Sequence, residues 1–95
     1  MRFLYLAIHY PKPAHRDDLL GAMNHLGRTL RTVPGMLEAT AWSDGERVVA
    51  TSVWASKDAF TAARPTIGAA IAGVPFEAWE ARERQLFAVD ELAGS

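Results

Sequence analysis

Val53-Trp54-Ala55-Ser56-Lys57-Asp58-Ala59-Phe60 joins the most strand-like run of the chain to a capped helix. Immediately upstream, Arg47 to Trp54 is β-branched and free of Gly and Pro, which predicts a strand buried on at least one face. Downstream, Ser56 is a good N-cap because its hydroxyl can accept the orphan amide of Asp58 or Ala59. Asp58 adds a first-turn negative charge that suits the helix dipole. The strand is expected to end at Trp54 and the helix to begin at Lys57. The indole then stands where a concave site between sheet and helix would open.

On the amino-terminal side, Ser43-Asp44-Gly45-Glu46 reads as a hairpin connection, with Asp-Gly supplying the positive φ angles such a turn prefers. It is preceded by a strand from Met36 to Trp42. Before that, Leu19, Ala22, Met23, Leu26, Leu30 and Val33 recur at helical spacing, predicting an amphipathic helix from about Ala14 to Thr32 that Pro34-Gly35 stops. Phe3 to Tyr10 reads as a first strand, apolar on both faces and ended by Pro11 and Pro13. On the carboxyl side, the second helix carries Ala59, Phe60, Ala63, Ile67, Ala70 and Ile71 on one side, and Arg64-Pro65 predicts a kink or two short segments. Residues 76–84 read ambiguously. We expect a short turn or helix around Phe76–Arg82 and a fourth strand near Arg84–Leu92.

Strand, helix, strand, strand, helix, strand is the split βαβ order of a ferredoxin-like α+β fold, a four-stranded antiparallel sheet with both helices on one face, expected as a single domain over 1–95. Two helices cover one face only, so the apolar second face is expected to be buried in a homodimer.

The 95 residues are 49% hydrophobic and 22% charged, ordinary for a globular protein. A net charge of −1 and a pI near 6.3 argue against a nucleic-acid or anionic-membrane partner, since neither would meet a basic patch. There is no cysteine, which excludes disulfides, thiol catalysis and iron–sulfur clusters. The apolar start, Met1 to Tyr10, is too short for a signal segment, and no stretch reaches the length of a membrane span, so a cytoplasmic protein is expected.

Among residues that could carry chemistry, His9 ends a buried strand beside aromatic neighbours and can change charge near neutral pH, although a satisfied buried imidazole is the blander reading. Trp54 reads either as core or as a pocket wall that handles a ligand. A cavity beside it would be walled by Met23, Leu26, Phe60 and Ile67, with Arg64 facing a ligand's acidic group or simply exposed. Such apolar walls suit a flat aromatic or polyketide-like compound better than a sugar or nucleotide. Trp42 is expected to pack near Trp54, and Trp79 to form a lid. Arg82 and Arg84 with Glu80 and Glu83 read as a solvated face, and His15 and His25 as solvated or capping. The three histidines lack ligand spacing, and no metal is expected.

The element order, the central hairpin and above all the octet Val53 to Phe60 resemble the antibiotic biosynthesis monooxygenase family of dimeric α/β barrels. The resemblance implies sheet-to-sheet dimerisation and a cavity between each sheet and its helices. It also implies one of three functions: cofactor-free oxidation of phenolic or anthrone-like compounds, haem degradation, or no catalysis at all. Haem-degrading members carry a ligating His on the second helix, and this helix has none. Anthrone-oxidising members share Trp54 but have an Asn and a Tyr where this chain has Ala50 and Phe60. The resulting expectation is a cofactor-independent monooxygenase-like protein, with His9 and Trp54 as candidate catalytic residues and no haem, flavin or metal. The alternatives are a non-catalytic dimeric module that binds small molecules or serves a stress response, and a structural dimer with a filled interior.

Overall fold

The computed structural model describes residues 1–93. Strand β1 (Phe3–His9) leads through a 3₁₀ turn at Pro13–His15 into helix α1 (Arg16–Leu30); β2 (Met36–Ser43) and β3 (Val48–Trp54) form the hairpin; α2 (Lys57–Ile71), a single-turn α3 (Phe76–Trp79) and β4 (Gln85–Asp90) complete the order. The strands pair antiparallel in the order β2-β3-β1-β4, the ferredoxin-like arrangement.

Register fixes which side chains meet the helices. Phe3 lies opposite Trp54, Tyr5 opposite Ser52, Ala7 opposite Ala50 and His9 opposite Val48. Because side chains alternate, these residues share one face with Leu86 and Ala88 of β4 and Ala39 and Ala41 of β2. Two apolar clusters bind the helices to that face. Phe3, Leu30, Trp54, Phe60 and Ala63 form one, and Leu19, Met23 and Val48 the other, with Phe76 and Trp79 packed against it. Phe60 is the hub of the first: its ring lies 5.2 Å from Phe3, 4.9 Å from Tyr5 and 5.7 Å, edge-on, from Trp54. The cap expected at the strand-to-helix junction is made, Ser56 Oγ accepting from the Ala59 amide at 3.1 Å.

Four local expectations are corrected. Helix α2 runs unbroken through Pro65, because Pro65 and Thr61, whose carbonyl loses its bond, are both exposed and water can replace the partner. In the hairpin only Gly45 has positive φ, at +97°. Asp44 organises the turn instead: its carboxylate accepts from the Glu46 and Arg47 amides and the Arg47 side chain, which holds its pKa down to about 2. Trp42 is 59% exposed on the face away from the helices, because its partner Val49 points there; Trp54 points the other way. The segment 80–84 is not a plain solvated face. Glu80 is buried, and Arg82 and Arg84 cover the rings of Tyr10 and Phe76 at 3.7 and 4.0 Å.

The other face carries no helix. Leu4, Leu6 and Ile8 of β1 are half-buried there, and Trp42, Phe87 and Val89 stand exposed beside them.

Gly35 joins α1 to β2 and seats the start of α2. Its φ is +84°, its carbonyl accepts from Ala55 N at 2.8 Å, and an added Cβ would come within 2.5 Å of the Ala59 Cβ. Gly35→Ala should lose about 2–4 kcal/mol from left-handed strain plus overlap, read as a lower urea midpoint. Gly45→Ala, with open space at its Cβ, should lose only the strain.

Candidate functional site

The two apolar clusters stand at opposite ends of the sheet, and small residues lie between them. Ala41, Ala50 and Ala7 are neighbours across three strands, so the middle of the sheet presents methyl groups where the ends present rings. Overhead, α1 contributes Gly27, whose missing Cβ would meet nothing within 4 Å. A cavity of about 310 Å³ remains, floored by the alanines and Ser52 and roofed by Met23, Leu26 and Leu30. That volume is enough for a small aromatic ligand. A second recess of about 360 Å³ between α2 and β4 shares Tyr5, Ile67 and Leu86 with the first.

His9 ends β1 at one side of this cavity. Its ring stacks on Phe76 at 5.6 Å, and its Nδ1 lies 3.3 Å from Oε1 of Glu80, too far off-line for a formal hydrogen bond. Both side chains are 3% exposed. Glu80 reaches this place because the chain after α3 is laced to the end of β1: Lys12 N donates to the Trp79 carbonyl and Ala81 N to the Tyr10 carbonyl, both at 2.8 Å. The Glu80 carboxylate also accepts from Tyr10 N at 3.0 Å. Burial pushes the His9 pKa below the usual imidazole range, and Arg84 adds to this; Glu80 opposes the shift without reversing it. At neutral pH the imidazole is therefore uncharged and able to accept a proton.

The sequence-derived candidates separate in space. His9, Met23, Leu26 and Ile67 line the cavity under α1; Phe60 and Arg64 line the second recess together with Ile67. Trp54 lines neither. It is fully buried, with its indole N–H donating to Ser52 Oγ at 3.0 Å. Trp79 likewise stays outside both, stacked on His15 at 6.1 Å. Ala50, where anthrone-oxidising relatives have Asn, lies in the cavity floor and offers no polar group. Sequence reasoning missed Glu80, which is 71 positions from His9 by number, 80 − 9. Glu80 follows α3 with extended backbone and pairs with Pro11, so no helical periodicity announced its inward direction. Among the described residues no group of three or more His, Cys, Asp or Glu could hold a metal, and no helix is long and apolar enough to cross a membrane.

The sequence pattern of the antibiotic biosynthesis monooxygenase family matches residues 2–67, more than half of the chain. The protein belongs to that family. Its fold is similar to that of Rv0793 from Mycobacterium tuberculosis, with a TM-score of 0.83 at 18% identity over 97% of this chain and 96% of the other. It is also similar to a conserved protein from Methanosarcina mazei Go1, with a TM-score of 0.84 at 10% identity over 97% and 94%. SnoaB from Streptomyces nogalater, a cofactor-independent oxygenase, superposes with a TM-score of 0.73 at 17% identity over 99% and 98%. At such identities these likenesses establish the fold alone. No curated protein matches the sequence.

Because the folded His9 resists protonation while an unfolded imidazole titrates near its ordinary value, the unfolded chain binds more protons just below that value. Stability should therefore fall as pH drops below about 6.5. Urea midpoints measured from neutral pH downward should show this fall, and His9→Gln should flatten it.

Proposed function

We propose that this protein is a cofactor-independent monooxygenase that takes a flat, largely apolar aromatic or polyketide-like compound into the cavity under α1, with His9 as the general base. The observation that carries the proposal is a neutral imidazole at the wall of a cavity floored by alanines and roofed by Met23, Leu26 and Leu30, backed by a buried carboxylate. With Nδ1 turned to Glu80, Nε2 is the nitrogen left for a substrate, the arrangement in which a carboxylate orients an imidazole for proton abstraction. An acidic ring methylene would give its proton to Nε2. The resulting carbanion transfers an electron to dioxygen, and the pair recombines with formation of a C–O bond. The peroxide takes a proton back from the imidazolium, and loss of water with the second methylene hydrogen leaves a ketone. The sum is CH2 plus O2 to C=O plus H2O. Charge delocalisation over the rings limits the cost of forming the anion away from water, and the poorly hydrated anion is the stronger electron donor to dioxygen. The family membership and the likeness to SnoaB support the class of chemistry. Trp54 serves this reading as the support of the cavity's end rather than as a group that touches substrate.

Oxygen uptake with anthrone as the probe, by protein freed of flavin and metal, tests the reading. Uptake with release of one ketone per oxygen is expected, and His9→Gln should slow it by about 100-fold with the fold intact. No uptake, or an unaffected variant, would overturn it.

The working form is a homodimer closed through the helix-free sheet face. Half-buried Leu4, Leu6 and Ile8 together with exposed Trp42, Phe87 and Val89 give that face the apolar character of an interface rather than of a solvated surface. Light scattering should return twice the 10.4 kDa of one chain, and Leu6→Glu at the centre of the face should return the monomer.

A further inference from the structure

The charges lining the cavity under α1 are of one sign. The chain as a whole has 10 Lys and Arg against 11 Asp and Glu, yet the cavity is lined by Arg28, Arg31 and Arg84 and by no carboxylate. The three arginines are not equivalent. Arg84 lies over the Phe76 ring, close to His9. Arg28 and Arg31 are exposed near the end of α1, and among the described residues neither has an ion pair or a side-chain hydrogen bond. The acidic residues of α1, Asp17 and Asp18, sit in its first turn at the far end. A cation at a helix C-terminus gains from the helix dipole, but one would serve that purpose, and the dipole does not ask that it border a cavity. Beside them stands Asn24, which adds a donor at the same rim.

We infer that the ligand of this cavity is an amphipathic anion, an aromatic ring system bearing a carboxylate, with Arg28 and Arg31 holding the carboxylate at the rim while the rings lie over the alanine floor. The inference rests on the cavity assignment of the proposed function and narrows its substrate class. Guanidinium groups suit this task because their planar donors match a carboxylate in pairs. A neutral ligand would leave both arginines unpartnered, and a cationic one would be repelled by every charge the cavity has.

Two fluorescent probes separate the possibilities: anilinonaphthalene sulfonate, a flat aromatic anion, and N-phenyl-1-naphthylamine, the same ring system without the charge. The anion should bind at least about tenfold more tightly at low salt. In the Arg28→Gln, Arg31→Gln double variant that preference should disappear while the neutral probe binds as before, and high salt should have the same effect. Gly27→Phe places a ring into the open space beneath α1 and should displace both probes, locating them in the cavity. Equal binding of the two probes, a preference that survives in the double variant, or binding indifferent to Gly27→Phe would each overturn the inference. Failure of both probes to bind would overturn the cavity assignment along with it. Anion-selective binding without oxygen uptake would leave the inference standing and count against the oxygenase alone.

Discussion

The pairing of β1 with β3 is the constraint on which everything else in this protein depends. β1 is central, held by β3 on one side and β4 on the other. A slip of one residue in either ladder would turn Phe3 and His9 to the helix-free face and leave α1 and α2 nothing to pack on. In the observed register, one row of side chains runs from the Phe3 and Trp54 end, across Ala7 and Ala50, to His9 and Val48. Rings, then methyls, then an imidazole follow one another along a single strand. The aromatic end fixes α2, the methyl centre leaves space, and the far end carries the buried imidazole that borders it.

Much of this was legible in the sequence. The octet Val53 to Phe60 forecast both the strand end at Trp54 and the helix start at Lys57, because capping is local chemistry and a hydroxyl three residues before an amide reaches it in any fold. The two apolar faces of β1 and the amphipathic pattern of α1 gave the layers for a similar reason: periodicity records which sides are covered. What stayed hidden depends on register between distant segments. The alanines at positions 7, 41 and 50 are unremarkable one by one and become a floor only when three strands align them. Glu80 sat in a stretch rich in charge, and only the lacing of residues 79–81 to the end of β1 turns it inward. Trp54 misled for the opposite reason, since a large aromatic beside a cap suggests a pocket wall, whereas Phe60 and Ser52 take up its ring and its N–H.

His9 and Glu80 illustrate how position decides protonation. A carboxylate beside an imidazole ordinarily favours the imidazolium, and here it does not prevail, because desolvation acts on the whole ring while Glu80 meets one nitrogen off-line and also accepts the Tyr10 amide. The guanidinium of Arg84 works in the same direction as burial. Glu80 thus orients the ring more than it charges it, and an uncharged, oriented imidazole is the state in which a base is useful.

The alanine floor has a consequence for how such a protein diversifies. Its cavity is bounded below by side chains of the sheet rather than by loops, so its depth is set by a few Cβ substituents on a backbone that the two apolar clusters already hold. Exchanging a methyl for an isopropyl or isobutyl group at position 7, 41 or 50 would shorten the accepted guest without moving a hydrogen bond of the ladder. Guest size and fold stability are therefore encoded by different residues, and selection can retune the first while leaving the second nearly untouched.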